Sequence, residues 1–296
     1  SNVKIRQHAE SGRMRYGGLW HCERVWLCPI CSYIISEHRR HKLGRVLSES
    51  GLYPVMVTFT LQHNAWMALK DVLGALLTAF RKTMTSQRGS SSWKRFQARH
   101  ELVAWVRALE VTWGLLNGWH PHLHMILLLS NPFPDLERLQ SDIENRYIAQ
   151  LQKLGFDGLP GVAVKLTAGN DAAADYIAKY GKLPEYDWGL DRELTRGHFK
   201  SARGDDRWTP FGLLDLYAFE DDKRAYALFQ EYDNAFFRKN QLTTSRGFWD
   251  LIDEEEMTDA EILQADELAP EWVLFASLDL DQWRYIVKNG MRGILE

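Results

Sequence analysis

Cysteines and long apolar runs are both scarce in this sequence, and each shortage excludes a class of protein. Only three of the 296 residues are cysteines, and all three lie within residues 22–31. A secreted disulfide framework uses an even number of cysteines spread along the chain, so this pattern argues against one. No apolar run approaches the length of a bilayer span; residues 125–129, for example, form a run of strand length. The sequence therefore predicts no membrane-spanning helix.

Two further signals are absent. Residues 3–15 are polar and basic, and they contain no apolar core of the kind that a signal peptide needs. Together with the clustered cysteines, which suit a reducing compartment, this predicts a cytoplasmic protein. The G-x-x-x-x-G-K-[ST] phosphate-binding motif is also missing, so the sequence predicts neither ATPase nor helicase activity in this chain.

Charge is distributed unevenly along the chain. The net charge is −3, which by itself does not favour nucleic acid as a partner. Residues 205–296, however, contain 9 Lys and Arg against 21 Asp and Glu, whereas residues 1–204 contain 27 against 18. A body of net charge +9 joined to a segment of net charge −12 fits phosphate binding by the body.

Hydrophobic periodicity predicts a mixed α and β core. Turn signals separate strands rich in β-branched and aromatic residues from amphipathic helices. The predicted strands are 53–61, 102–113, 119–129 and 161–167, and the predicted helices are 65–85, 135–153 and 171–180. The order β-α-β-β-α-β, followed by a helix, is that of the split βαβ, ferredoxin-like antiparallel sheet, an α+β fold with helices on one face and its first and third strands at the centre.

This pattern divides the chain into three regions. Residues 1–50 form a basic head rich in Cys and His, and residues 32–48 within it have helical spacing. Residues 51–204 hold the ferredoxin-like core. Residues 205–296 form an acidic, mostly helical C-terminal region, in which residues 268–296 fit no element clearly.

The segment WHPHLHMILLL, at residues 119–129, is the most informative stretch for function. Alternate side chains of a strand share a face, so His120, His122 and His124 point the same way. Two imidazoles at positions i and i+2 of a rigid strand can bind one divalent metal ion. Three histidines on one face of this strand favour a metal site over a chance surface cluster.

The preceding strand supplies a carboxylate. A turn centred on Leu116 places Glu110 opposite His122, on the histidine face and within cross-strand distance. Two histidines and one carboxylate, with coordination positions left open, suit Mn²⁺ or Mg²⁺ acting on a phosphate. On these residues alone, a histidine-lined zinc site of a hydrolase fits as well.

Two tyrosines stand one turn apart in the last predicted helix of the core. Tyr176 and Tyr180 share a helix face, with Lys179 nearby and Lys182 following. A phenolic oxygen can attack a phosphodiester and hold the broken end covalently, and a lysine can neutralise the charge that develops there. Tyrosines at this spacing are more often packing residues, so their significance depends on the histidine strand.

Three motifs, in this order, resemble those of the HUH endonucleases, in particular the Rep proteins of rolling-circle plasmids and phages. The first motif of that family resembles TFTLQH at 58–63, the His-hydrophobic-His motif resembles GWHPHLH at 118–124, and the two-tyrosine motif resembles YIAKY at 176–180. Relaxases, which are related, carry the tyrosine before the histidines. The resemblance extends over most of the chain and, with all three motifs together, is specific.

The resemblance implies a replication initiator that nicks single-stranded origin DNA, holds it as a 5′-phosphotyrosine and later rejoins strands. Tyr180 would attack first, because single-tyrosine relatives keep that position. Host helicase and polymerase would act as partners. The site residues that the resemblance implies are Glu110, His122 and His124 for Mn²⁺ or Mg²⁺, His63 and His120 as further ligands or phosphate contacts, and Tyr180, Tyr176 and Lys179 for catalysis.

The spacing Cys22-x5-Cys28-x2-Cys31 in the head predicts a structural Zn²⁺ site. Zinc prefers four ligands in such sites, so a histidine is expected to complete this one. The histidines available in the head are His8, His21, His38 and His41. Similar Rep proteins carry a zinc-binding cysteine element here, often with an upstream cysteine, and this resemblance favours His8. The basic residues expected to contact origin DNA are Arg39, Arg40, Lys42, Arg45 and Lys182.

Two other functions stay open on the sequence alone. A two-tyrosine transposase of the single-strand type would use the same chemistry, and a long additional DNA-binding region, which this sequence does not show, would favour it. A non-catalytic, zinc-bearing DNA-binding regulator on a degenerate scaffold would not need the combination of Glu110, two strand histidines and both tyrosines.

Overall fold

The computed structural model of the protein describes residues 2–84, 91–168 and 207–289. Within these ranges the chain forms a mixed α+β structure with antiparallel sheets. None of the helices in these ranges is both long and apolar enough to cross a membrane. The elements, in chain order, are β1 (Val3–His8), β2 (Met14–Gly17), α1 (Pro29–Glu49), β3 (Tyr53–Phe59), α2 (Leu69–Met84), α3 (Ser91–Arg99), β4 (Leu102–Gly114), β5 (Gly118–Leu129), α4 (Leu136–Lys153), β6 (Val164–Ala168), β7 (Arg207–Trp208), α5 (Pro210–Glu220), α6 (Lys223–Phe236), β8 (Leu242–Thr244), a 3₁₀ helix (Trp249–Ile252), α7 (Asp259–Glu267), β9 (Trp272–Leu278) and α8 (Leu280–Lys288).

The described residues form two compact units. The first, which we call the head unit, contains residues 2–39 and 256–289. The second, which we call the core unit, contains residues 40–84, 91–168 and 207–255. The head unit thus combines both ends of the described chain, whereas the sequence pattern suggests boundaries near residues 50 and 204.

The sheet of the core unit has the strand order β6-β3-β5-β4-β7, with β8 also paired to β4. All of these pairings are antiparallel. β3 and β5 are the first and third strands of the predicted ferredoxin-like core. They are neighbours at the centre of the sheet and pair from Tyr53 opposite Leu129 to Phe59 opposite Leu123. Their nearly continuous apolar sequence follows from this position, because both faces of the two strands are covered.

Helices cover both faces of the sheet, whereas the sequence pattern predicts them on one face only. On one face, the ring of Phe59 lies 5.2 Å from that of Phe80 in α2 and 5.1 Å from that of Tyr147 in α4. On the other face, the second half of α1 and the 3₁₀ helix bury Met56 and Ile126. Local periodicity does not reveal this second layer, because the 3₁₀ helix is distant from both strands in sequence.

The histidine strand changes character along the face that α1 covers. Ile126 and Leu128 are fully buried there, and His124, His122 and His120 continue the same face toward the hairpin. His124 is 3% exposed, whereas His122 and His120 are partly exposed. The side chains predicted to bind a metal therefore lie where the covered face opens.

The head unit has a three-stranded antiparallel sheet of order β2-β1-β9. β9 lies in the region that fits no element clearly in the sequence, and the described part of the acidic C-terminal region, residues 207–289, contains three strands besides its helices. Ion pairs join basic residues of the head to α7. Arg15 donates two hydrogen bonds to Asp266, at 2.9 and 2.8 Å, and Arg39, one of the predicted DNA contacts, lies 2.5 Å from Asp259. Part of the acidic region thus neutralises the basic head.

Candidate metal centre

The strand pair β4–β5 brings a carboxylate and two imidazoles together. The hairpin register predicted from the sequence is confirmed, with Glu110 opposite His122 and Thr112 opposite His120. Oε2 of Glu110 lies 3.0 Å from Nε2 of His122 and 3.3 Å from Nε2 of His124. In the described part of the chain, these three side chains form one of two clusters whose ligand atoms all lie within 4.8 Å of one another.

Each of the two histidines is anchored through its other ring nitrogen. Nδ1 of His122 lies 3.3 Å from the backbone oxygen of His120, and because a carbonyl only accepts, this Nδ1 carries a proton. Nδ1 of His124 lies 3.0 Å from the hydroxyl of Thr58, which stands opposite His124 in the β3–β5 pair. The Nε2 atoms of both rings therefore face Glu110 and are the atoms available to a metal ion.

Burial and mutual contacts set the protonation of these groups. Burial by itself raises the pKa of Glu110, but hydrogen bonds and charge interactions with His122 and His124 outweigh it and hold that pKa well below its usual range. Burial lowers the pKa of His120 to about 4, with smaller contributions from neighbouring positive charges. At neutral pH Glu110 is thus ionised and His120 is neutral, an arrangement that suits a cation at Glu110.

A further histidine borders the centre. Nε2 of His63 lies 2.7 Å from Nδ1 of His120, and Nδ1 of His63 lies 3.1 Å from the backbone oxygen of Asn117. Because that carbonyl only accepts, His63 donates from Nδ1 and, when neutral, accepts at Nε2 from His120. Burial lowers the pKa of His63, which favours the neutral form. His63 therefore orients His120, although neither belongs to the 4.8 Å cluster.

Glu231 of α6 holds the beginning of β5, a contact that no sequence motif signals. Its Oε2 accepts a hydrogen bond from Nε1 of Trp119 at 2.8 Å, and its Oε1 accepts from the backbone N–H of Leu69 at 2.8 Å. Leu69 opens α2, where backbone N–H groups have no partner within the helix. One carboxylate thus joins α2, α6 and the strand that carries the histidines.

The three cysteines form the other cluster, in the head unit. The Sγ atoms of Cys22 and Cys31 are 3.9 Å apart, and the backbone N–H of Cys31 donates to Sγ of Cys28 at 3.5 Å. A tetrahedral zinc ion bonded to sulfur at about 2.3 Å separates the sulfurs by about 3.8 Å, so the spacing fits zinc. Burial, followed by the neighbouring thiols, raises the pKa of Cys31 to about 12.

His8, which the resemblance favours as the fourth zinc ligand, is not brought to the cysteines. It ends β1, where its Nδ1 accepts from the backbone N–H of Ser11 at 3.2 Å and its ring lies 5.1 Å from that of Trp272. The β1–β9 pairing holds His8 opposite Trp272 and so directs it elsewhere. Within the described residues, no histidine nitrogen joins the three sulfurs in their 4.8 Å cluster.

Basic residues of α1 that are predicted to contact DNA make contacts within the protein. Lys42 is 8% exposed, and its Nζ lies 2.8 Å from a carboxylate oxygen of Glu254. Arg45 also pairs with Glu254, and Arg40 lies 3.1 Å from the ring of His41. Glu254 therefore forms ion pairs with Lys42 and Arg45, two of the basic residues that the sequence pattern predicts to contact DNA phosphates.

The two-tyrosine segment lies outside the described residues. β6, the strand expected to precede it, ends at Ala168. The catalytic and DNA-contacting residues that the sequence predicts there, Tyr176, Lys179, Tyr180 and Lys182, stay predictions.

Comparisons with known proteins point to replication. Residues 14–151 match a family model described as "Replication protein". This stretch includes both clusters and ends before the two tyrosines. No solved structure matches the chain.

Two named relatives are similar to this chain. A protein called "Protein rep" from Streptomyces lividans is 30% identical over 249 residues, which cover 67% of this chain and 53% of that protein. A "Neomycin resistance protein" from Streptomyces cyanogenus is 30% identical over 135 residues, which cover 38% of this chain and 31% of that protein. The chain thus spans about half of the first relative's length and less of the second's.

Proposed function

We propose that this protein is a replication initiator of the rolling-circle plasmid type, an endonuclease that nicks single-stranded origin DNA by tyrosine attack. The observation that carries the proposal is the convergence of His122 Nε2 and His124 Nε2 on Glu110, inside the stretch that matches the replication family. The strand order β6-β3-β5-β4, with β3 and β5 central, supports a ferredoxin-like HUH core.

The donor set fits a divalent cation that keeps open coordination positions. His122, His124 and Glu110 would hold Mn²⁺ or Mg²⁺, because two neutral imidazole nitrogens and one carboxylate oxygen leave positions for water and phosphate. When bound, such an ion neutralises charge on a non-bridging phosphate oxygen. His120, oriented by His63, borders these ligands and would contact the same phosphate or its water.

In the proposed reaction, the phenolic oxygen of Tyr180 attacks the phosphorus of the scissile phosphate, and the phenolic proton is lost to solvent. The bond from phosphorus to the 3′ oxygen breaks, and that oxygen takes up a proton, leaving a 3′ hydroxyl for a polymerase. The 5′ end stays bonded to the tyrosine, and Lys179 balances the charge on the phosphoryl group. Tyr176 or a free 3′ hydroxyl attacks in a later step and releases or rejoins the strand.

The head unit would hold structural zinc through its cysteines, and α1, which begins in the head unit and ends in the core unit, would contact origin DNA. Because Lys42 and Arg45 already pair with Glu254, DNA binding by them would exchange a carboxylate for a phosphate. Host proteins would supply strand separation and polymerisation.

The test is the formation of a covalent protein–DNA adduct. The full chain is incubated with Mn²⁺ and end-labelled single-stranded oligonucleotides that tile its replication origin, and adducts are detected on a denaturing gel. Tyr180→Phe should lose most adduct and the Tyr176→Phe, Tyr180→Phe double variant all of it, because only the nucleophilic oxygen is removed. Adduct formation by the double variant would place the nucleophile elsewhere.

A buried tyrosine offers a matched control for this assay. Tyr147 of α4 is fully buried, and its hydroxyl has no hydrogen-bond partner among the described residues. Tyr147→Phe should form adduct at the wild-type rate and keep or slightly increase stability, because it removes an unsatisfied buried polar group. Adduct loss in this variant as well would indicate that tyrosine removal acts through the fold.

Thr58→Val should weaken Mn²⁺ binding by about 10- to 100-fold, because partners of ligand histidines contribute on this scale. The Thr58 hydroxyl can donate to Nδ1 of His124 while Nε2 carries the proton, and accept from Nδ1 once Nε2 binds a metal. Valine keeps the shape but can neither donate nor accept a hydrogen bond, whereas Thr58→Ser can do both and should bind Mn²⁺ as wild type does.

Thr60→Val is the matched control, since the Thr60 hydroxyl donates to the backbone oxygen of Val162. Calorimetric titration with Mn²⁺ measures all three variants; equal affinity of Thr58→Val and wild type would refute the role.

A further inference from the structure

An exposed apolar surface lies beside the candidate metal centre. Trp66 is 93% exposed and Leu116 is 81% exposed, and Met67 and Leu115 are also exposed. Trp66 lies on the loop between β3 and α2, and Leu116 lies at the tip of the β4–β5 hairpin. We call these four residues the loop–hairpin surface. An indole this exposed is unusual in a folded protein, because tryptophan is highly buried on average.

The loop is fixed to the hairpin by contacts of its own. A Cβ atom on Gly118 would lie 2.8 Å from Cα of Ala65, so the loop backbone rests directly on the hairpin, and Gly118 also has a φ of +69°. The backbone N–H of Trp66 donates to Oδ1 of Asn64 at 3.0 Å, which closes a turn and sets the position of the indole. The exposed ring is therefore presented on an ordered turn.

The same loop reaches the metal centre. It carries His63, whose imidazole contacts His120 and the backbone oxygen of Asn117 in the hairpin. Arg207 is exposed and stands opposite Gly114 in the β4–β7 pair, next to the tip of the hairpin. Groups suited to binding phosphate and an exposed aromatic ring thus border one another on the core unit.

We propose that the loop–hairpin surface, with Trp66 at its centre, stacks on unpaired bases of single-stranded DNA next to the phosphate held at the metal centre. Resting on the proposed function, the inference names the part of the chain that binds the bases. Single-stranded nucleic acid is bound by cations that follow the phosphates and by aromatic rings that stack on the bases, and this region offers both. A duplex hides its base faces, so the surface favours an unpaired strand. An apolar surface without nearby phosphate-binding groups would instead favour a protein partner.

The test measures DNA binding without chemistry. Fluorescence anisotropy of a labelled single-stranded oligonucleotide of mixed sequence, titrated with the full chain in buffer without added Mn²⁺ or Mg²⁺, gives the dissociation constant. Trp66→Ala should raise it by about 5- to 150-fold, the range for loss of one stacked base, and Trp66→Phe should recover most of the affinity. Phe133→Ala is the matched control, because Phe133 is 88% exposed but follows the opposite end of β5 from the hairpin.

An oligonucleotide of abasic sugars identifies what the indole contacts. Wild-type protein should bind it as weakly as Trp66→Ala binds the normal strand, and the variant should not distinguish the two strands. The inference would be overturned if Trp66→Ala bound DNA with wild-type affinity. It would also be overturned if the only effect of Trp66→Ala were a changed oligomeric state on size-exclusion chromatography.

The outcome separates this inference from the proposed function. If wild type forms no covalent adduct but Trp66→Ala still loses DNA affinity, stacking stands and the nicking mechanism fails. If adduct forms and Trp66→Ala shows an unchanged KM for the oligonucleotide, nicking stands and stacking fails. A stacking role predicts a raised KM with little change in kcat, because Trp66 does not touch the reacting atoms.

Discussion

Joint replacement of His122 and His124 by alanine should abolish nicking and remove tight Mn²⁺ binding while the fold survives. Both Nε2 atoms converge on Oε2 of Glu110, so the double variant removes two of the three ligands. Hydrogen-bond partners of metal ligands are each worth 10- to 100-fold in affinity, so loss of two direct ligands should cost about 10³-fold or more. Mn²⁺ titration calorimetry and the adduct gel measure the two effects independently.

A histidine outside the centre serves as the matched control. Nε2 of His100 lies 2.8 Å from a carboxylate oxygen of Asp142 in the same core unit, but this pair is not part of the candidate metal cluster. His100→Ala should bind Mn²⁺ and form adduct as wild type does and should lose only stability. Circular dichroism melts check that every variant is folded. Unchanged Mn²⁺ affinity of the double variant would remove His122 and His124 from the site.

The centre could be predicted from the sequence because its geometry depends on local rules. Side chains alternate along a strand, which places the histidines of β5 on one face. The hairpin is short and has a glycine at either side of its tip, so the register that sets Glu110 opposite His122 follows by counting. Both rules act over a few residues, and no distant contact changes their result.

The contacts that support the centre could not be predicted in the same way. Thr58 reaches His124 from β3, and Glu231 reaches Trp119 from α6, so each partner is far away in the chain. A threonine in a buried strand and a glutamate on an amphipathic helix are ordinary residues in ordinary positions. Only the folded sheet shows that one orients an imidazole and that the other holds the beginning of β5.

The fourth zinc ligand shows that a resemblance to other Rep proteins predicts the role of a single residue less well than strand register does. A cysteine upstream in similar Rep proteins points to His8 as the fourth zinc ligand. In the structure, β1 pairs with β9, a strand from the far end of the chain that the sequence pattern does not resolve. That pairing places the ring of His8 against the ring of Trp272, away from the three sulfurs. The cysteine cluster itself follows from spacing within ten residues and was predictable.

The core around the cysteines is small. Cys31 is buried with Val25 and Ile35 from the head and with Ile262 and Leu263 from α7. Five buried side chains, with five partly buried ones packed against them, contribute little free energy against the conformational entropy of ordering two separate chain segments. A metal that binds only the folded state adds its binding free energy to stability, and for structural zinc this reaches about 10 kcal/mol or more.

Replacement of Cys28 and Cys31 by serine should therefore release zinc and unfold the region around these residues. Metal analysis should find about one zinc per wild-type chain and none in the double variant. Amide hydrogen exchange should rise in the first half of α1 and in α7, because both depend on the core at Cys31. A strong chelator added to wild type should give the same exchange pattern.

His8→Ala is the matched control and should retain zinc, since its ring lies against Trp272 rather than beside the sulfurs. Zinc-free wild-type protein with a protected head would show that side-chain packing alone holds this core, and zinc loss in His8→Ala would restore His8 as the fourth ligand.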